Sequence, residues 1–168
     1  MGANVGDTRL TFEHALRALA SLPGASLEAV SPLYKSKPVG GVEQADFLNA
    51  VAAVAVPAGP DPETGALALL LALKEIEHAL GRQPRERWGP REIDLDLLLF
   101  GDHQVDRTED PWLVVPHAEM ANRLFALAPL ADLAPGLTPP GWSVSVAKAR
   151  DQRRKLDGAG AVVPVELG

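Results

Sequence analysis

The sequence predicts an α+β fold, and three observations carry that reading. Apolar residues recur at helical spacing after Asp7 and again after Asp61. Between and beyond those stretches lie short runs of strand length, rich in valine, alanine and leucine. Proline and glycine mark the boundaries, at Pro23-Gly24, Gly40-Gly41 and Pro57 to Gly59. Strands interleaved with helices, some adjacent as hairpin-like pairs, favour a sheet with helices packed on it.

Taken in order, Asp7-Thr8-Arg9 opens a helix that carries Leu10, Ala15, Leu16 and Leu19 and stops at Pro23-Gly24. Leu27 to Tyr34 reads as a strand, closed by Pro38 and the glycine pair after it. Phe47 to Val56 reads as a second, ended by Pro57 and Gly59. Asp61-Pro62-Glu63 then starts a helix, because Asp caps, Pro suits the first turn and Glu complements the helix dipole. Leu67, Leu70, Leu71, Leu73, Ile76 and Leu80 carry that helix to Gly81. An arginine-rich loop leads into a buried strand over Asp94 to Phe100, and a polar loop follows. Short helical segments are expected over 117–122, 126–133 and 143–156.

Composition narrows the function classes. At 168 residues, 46% of them apolar, the chain suits one domain over 1–168 with a real core. Its longest apolar runs, Leu67 to Leu73 and Leu95 to Phe100, fall short of the ~20 residues a membrane helix needs. No basic-then-apolar signal opens the chain, so a cytoplasmic location is expected. The absence of cysteine excludes disulfides and thiolate metal sites. A formal charge of −6 argues against a general nucleic-acid binder. Arg82, Arg85, Arg87 and Arg91 stand out against that acidic background as a cluster sized for one polyphosphate.

The run Arg87-Trp88-Gly89-Pro90-Arg91-Glu92-Ile93-Asp94-Leu95-Asp96 carries the most chemistry. Side chains alternate along a strand, so Asp94 and Asp96 project together while Leu95 points away. Carboxylates sharing a face repel unless a cation lies between them, and Mg²⁺ takes such oxygen ligands alongside substrate phosphates. Guanidinium forks suit the phosphate oxygens themselves. Each piece alone has an ordinary structural reading as turn, surface charge or core aromatic. Their order, arginines then tight turn then acid pair then apolar strand, points to a nucleotide triphosphate. Phe47 and Asn49, two apart on a strand, also face the same way.

The stretch from Leu80 to Asp102 resembles the signature of the 6-hydroxymethyl-7,8-dihydropterin pyrophosphokinase family of folate synthesis. Further motifs lie in family order: Gly2-Ala3-Asn4-Val5-Gly6-Asp7, Ser31 to Gly40, Asp46 to Ala50, and Val115 to Phe125. The resemblance covers about residues 2 to 135. It implies a ferredoxin-like antiparallel sheet and transfer of pyrophosphate from ATP to the pterin hydroxymethyl group. Asp94 and Asp96 are then expected to hold two Mg²⁺ ions, and Arg82 and Arg91 to act on the phosphates. Glu77, Arg85, Arg87, Trp88, His117 and Arg123 are expected on the ATP side, with Lys74 one turn before Glu77. Ser36, Val39, Gly40, Phe47, Asn49 and Phe125 are expected around the pterin. The family places an arginine two residues after the position of Arg82, where this chain has Pro84, and Arg85 is the substitute. His14, His78 and His103 show no spacing that suggests a metal site or triad.

One departure concerns the fold. The family has a strand before the glycine–asparagine turn, whereas this chain begins almost at the turn, so that strand is expected to be missing. A start placed too far downstream would explain it, with 157–168 forming an edge strand or tail. A monomer acting on small molecules is expected, with no nucleic acid or membrane partner. Two other readings compete: a non-catalytic nucleotide-binding or interaction module of the same fold, and a sugar transferase using Asp-x-Asp. Opposed charges kept together argue against the first. The second leaves Phe47, Asn49 and Phe125 unexplained.

Overall fold

The computed structural model describes residues 1–41, 43–85 and 88–165. The elements run β1 (Gly2–Ala3), α1 (Thr8–Ala20), β2 (Ser26–Val30), β3 (Tyr34–Ser36), β4 (Phe47–Asn49), β5 (Ala52–Ala55) and α2 (Pro62–Ala79). They continue as β6 (Val105–Arg107), β7 (Leu113–Val115), a 3₁₀ turn at Met120–Asn122, α3 (Leu124–Leu133), α4 (Val146–Asp157) and β8 (Val162–Pro164).

Local chemistry starts the helices where the sequence expects. The Asp7 carboxylate accepts from Leu10 N–H at 3.0 Å, and Phe12, Ala15 and Leu19 turn one face of α1 inward. Asp61 accepts from both the backbone N–H and the hydroxyl of Thr64, each at 2.8 Å, at the start of α2. Such caps satisfy amide groups the first helical turn leaves without partners. Gly65 lets α2 lie against the preceding loop: a Cβ there would meet the Ala58 carbonyl oxygen at 2.0 Å.

The expected long strands each divide in two. β2 pairs antiparallel with β5, and β3 with β4. Between them Pro32 has no N–H to donate. There the Ser31 N–H donates to the Val51 carbonyl at 2.9 Å and its hydroxyl accepts from Val51 N–H at 3.0 Å. β1 pairs with the other edge of β4, and β8 lies beside β3, giving the order β1-β4-β3-β8. β1 is two residues long and falls inside the Gly2 to Asp7 motif rather than before it. Val162–Pro164 occupies a sheet edge, where a proline is tolerated. Glu166 and Leu167 of the expected tail lie outside the described residues.

The Asp94 to Phe100 segment corrects an expectation. Among the described residues its only β-bridge joins Asp94 to Gly2. Beyond that bridge no ladder forms among the described residues, and Leu95, Leu97 and Leu99 line, with Val51 and Val54, an apolar cavity of about 380 Å³. The alternation survives without it: Ile93, Leu95 and Leu97 are buried, while Asp94 and Asp96 turn away from that core. Side-chain and loop bonds hold the segment instead, from Leu95 N–H to the Glu77 carboxylate at 2.6 Å and from His117 N–H to the Leu98 carbonyl at 2.9 Å. The β6–β7 hairpin replaces what the sequence suggests is a polar loop.

Ile93, Leu95 and Leu97 join Phe12, Ala15, Leu73 and Ile76 in the largest apolar cluster, beneath α1 and α2. A second cluster, with Met120, Leu127 and Val146, ties α3 to α4. The acid pair thus rides on a segment anchored by the main core.

Candidate functional site

Gly2, Asn49, Arg91, Asp94, Asp96 and Phe125 meet around a cavity of about 180 Å³ at the end of the sheet. Of the residues expected at the site, Ser36, Val39, Phe47, Trp88 and Arg123 line it as well. Two walls of different chemistry face each other across it.

One wall is built by β3 and β4. Phe47 and Asn49 share a face because they are two apart on β4, and Ser36 stands opposite Phe47 in the ladder. Asn49 is only 5% exposed, and its amide nitrogen donates to the Ser36 hydroxyl at 2.8 Å. Its Oδ1 would lie 3.3 Å from a Cβ at Gly2, so a small residue there leaves the amide its room. Phe125 comes from the start of α3, with the Arg123 guanidinium 5.8 Å from its ring centre. A polar amide at the bottom and rings at the sides suit a flat, hydrogen-bonding heterocycle.

The other wall is charged. Asp94 accepts from Arg82 at 2.8 Å and lies 3.8 Å from Arg91, and Asp96 lies 3.7 Å from Arg123. Burial pushes the Asp94 carboxyl up, but Arg82, Arg91 and Lys74 outweigh it and hold the group below the usual carboxylate range. Burial likewise opposes the Arg82 charge, and Asp94 and Glu77 overcome it, keeping the guanidinium above its ordinary range. The site therefore keeps the Asp94 carboxylate and the Arg82 guanidinium ionised side by side at neutral pH.

Other expected residues are placed differently. Gly40 lies beside the site, its backbone against Trp88: a Cβ there would sit 2.9 Å from the indole Cβ and Cγ. Arg85 is ion-paired with Glu92 and points along its own loop. Glu77 is not on the cavity wall but buried behind it, bonded to Leu95 N–H, Lys74 and Arg82. His117 also stands behind the wall, its Nδ1 accepting from Glu119 N–H at 3.1 Å. Arg87 lies outside the described residues.

The chain matches the family model for 7,8-dihydro-6-hydroxymethylpterin-pyrophosphokinase over residues 1–135. It belongs to that family. A pyrophosphokinase of the same description from Pseudomonas aeruginosa (2-amino-4-hydroxy-6-hydroxymethyldihydropteridine pyrophosphokinase) is 46% identical over 140 residues, 83% of this chain and 81% of the relative. The protein so named from Methylorubrum extorquens is 39% identical over 160 residues, 95% and 92% of the two chains. That from Bacillus subtilis is 37% identical over 133 residues, 79% and 74%.

As a pyrophosphokinase-family site, the charged wall fits a particular kind of metal. Among the described residues no group of three or more histidines, cysteines, aspartates or glutamates could cage an ion. Among the described residues Asp94 and Asp96 alone offer carboxylates to the cavity. Mg²⁺ suits such a sparse oxygen set, because it retains water and takes substrate phosphate oxygens rather than an all-protein cage.

Two residues escape sequence reasoning. The Asn4 side chain donates to Gln44 Oε1 and to the Ala45 carbonyl, both at 2.9 Å, and accepts from Arg91 N–H at 2.8 Å. Gln44 in turn donates to the Trp88 carbonyl at 2.6 Å. Together they join the β1–α1 turn, the loop before β4 and the arginine loop at the cavity mouth. Asn4 sits in a recognisable turn motif, but its partners lie about forty and ninety positions away. Gln44, in a polar loop, carries no local signal.

Proposed function

We propose that this protein transfers pyrophosphate from ATP to 6-hydroxymethyl-7,8-dihydropterin, forming AMP and the pterin pyrophosphate in folate biosynthesis. One observation carries the reading: an acid pair flanked by Arg82, Arg91 and Arg123 faces an aromatic and amide wall across a single cavity. That is the pairing a triphosphate and a pterin require. We further read the chain as one ferredoxin-like domain over 1–168, acting as a cytoplasmic monomer. The β1, α1, β2 to β5, α2 order followed by the extended acid segment supports that fold.

In the reaction, the pterin hydroxymethyl oxygen bonds to the β-phosphorus. The bond from that phosphorus to the α–β bridging oxygen breaks, AMP leaves with the electron pair, and the hydroxyl proton is lost. Positioning and charge neutralisation do most of the catalytic work in such transfers. Phe47 and Phe125 hold the pterin between them and Asn49 reads its amino-ketone edge, with Ser36 fixing the amide's orientation and Val39 and Gly40 closing the rim. Arg82, Arg91 and Arg123 draw the phosphate oxygens to the opposite wall. Trp88 covers the mouth, with Arg85 and Arg87 on the same loop available to the ATP side, and His117 supports the nucleotide side from behind. Asp94 and Asp96 are the residues that would hold Mg²⁺, two ions in this reading, which supply charge neutralisation to the triphosphate.

Product analysis tests the assignment. Protein mixed with ATP, Mg²⁺ and the hydroxymethyl-dihydropterin is expected to yield AMP and pterin pyrophosphate in equal amounts. ADP in place of AMP would rule out pyrophosphate transfer.

A further inference from the structure

Glu77 occupies a position that packing alone would give to an apolar residue. It follows Leu73 and Ile76 on the inward face of α2, and its side chain is 3% exposed. A buried carboxylate is costly unless its charge is matched and its lone pairs are filled. Here they are. Oε1 accepts from Leu95 N–H at 2.6 Å and from Lys74 at 3.1 Å, and Oε2 accepts from Arg82.

The Arg82 contact is the informative one. The same guanidinium nitrogen, NH1, also donates to Asp94 Oδ1 at 2.8 Å. Arg82 therefore bridges an acid on the cavity wall and an acid behind it. A cation held at Asp94 would compete with Arg82 for that carboxylate, and Arg82 would then keep only one anionic partner. Neither Glu77 nor Arg82 lines the cavity itself, so a ligand there leaves their contact in place while it engages Asp94. Lys74 is a second cation on Glu77, half exposed, and offers Arg82 no anionic partner of its own.

Resting on the function proposed above, we infer that Glu77 is a positioning residue: it retains Arg82 at the phosphate wall and so releases Asp94 for metal. Without its charge, Arg82 turns wholly to Asp94 and competes with Mg²⁺. Glu77→Gln isolates this effect, because the amide oxygen can still accept from Leu95 N–H while the charge opposite Arg82 is gone.

The test is calorimetric titration with Mg²⁺ and α,β-methylene-ATP, which cannot release AMP, so binding is read without turnover. Four proteins are compared: wild type, Glu77→Gln, Arg82→Ala and the double variant, with melting temperatures recorded alongside. Glu77→Gln is expected to weaken binding roughly tenfold in the wild-type background, within the range for residues sharing one ion-pair network. In the Arg82→Ala background it is expected to change binding by less than about twofold, because no guanidinium remains to redirect. If Glu77→Gln does not fold, Glu77→Asp takes its place, since the shortened side chain cannot reach Leu95 N–H and Arg82 together. Equal losses in both backgrounds would mean that Glu77 acts on the nucleotide directly or through general stability, and would overturn the inference, as would no loss in either. Wild-type protein that binds neither Mg²⁺ nor the analogue would instead overturn the reading of the site, and this inference with it.

Discussion

At the scale of single residues, His117 shows a backbone amide setting the chemistry of a side chain. Glu119 N–H donates to Nδ1, so the neutral ring carries its proton on Nε2. Burial lowers the His117 pKa from its ordinary 6.5 and Arg123 lowers it further, against the opposing pull of Asp96 and Glu119. A depressed folded-state value means the unfolded chain takes up its proton first as pH falls. The associated stability is complete above about 6.5 and is lost as pH drops through the folded value. Urea unfolding at about pH 7.5 and about pH 5.5 should therefore show a smaller acid-side loss for His117→Asn, whose amide oxygen can still accept from Glu119 N–H. Equal losses in the two proteins would contradict this. Phe47 and Asn49 were legible at this scale because period-two spacing alone puts them on one face. Arg85 and Glu77 were not, since one is decided by Glu92 across a loop and the other by an amide eighteen positions on.

At the scale of elements, α1 and α2 could be read from sequence because a cap and an apolar stripe are both local. Asp7 and Asp61 do what their spacing says. The acid-bearing segment was half legible: its alternation follows from the backbone, whereas its pairing depends on what lies beside it. Among the described residues only Gly2 does so as a bridge, and an apolar cavity lined by Leu95, Leu97 and Leu99 lies beyond it. The β6–β7 hairpin was missed because its strands are three residues each, too short for alternation to declare itself. The seat of α2 offers a prediction in which two effects oppose. Glycine to alanine inside an exposed helix stabilises by about 1 kcal/mol through propensity. At Gly65 the new Cβ would lie 2.0 Å from the Ala58 carbonyl oxygen and 2.9 Å from the Phe100 ring. Overpacking wins: Gly65→Ala should destabilise by about 1–3 kcal/mol in denaturant unfolding, and a more stable variant would refute the close approach.

At the scale of the whole molecule, an acidic chain gathers arginines from three separate places around one acid pair. Arg82 follows α2, Arg91 precedes the acid segment and Arg123 precedes α3. That convergence, invisible to net charge, sets guanidinium donors suited to a polyphosphate beside the acid pair. Tertiary folding also decides which arginines join it, and Arg85 does not. The account stands or falls on Asp94 and Asp96 meeting a metal opposite the pterin wall. Anomalous diffraction from crystals grown with Mn²⁺, α,β-methylene-ATP and the hydroxymethyl-dihydropterin tests this most directly. Metal peaks bonded to the Asp94 and Asp96 carboxylates are the predicted result. Metal bound away from both carboxylates, with the nucleotide in place, would contradict it.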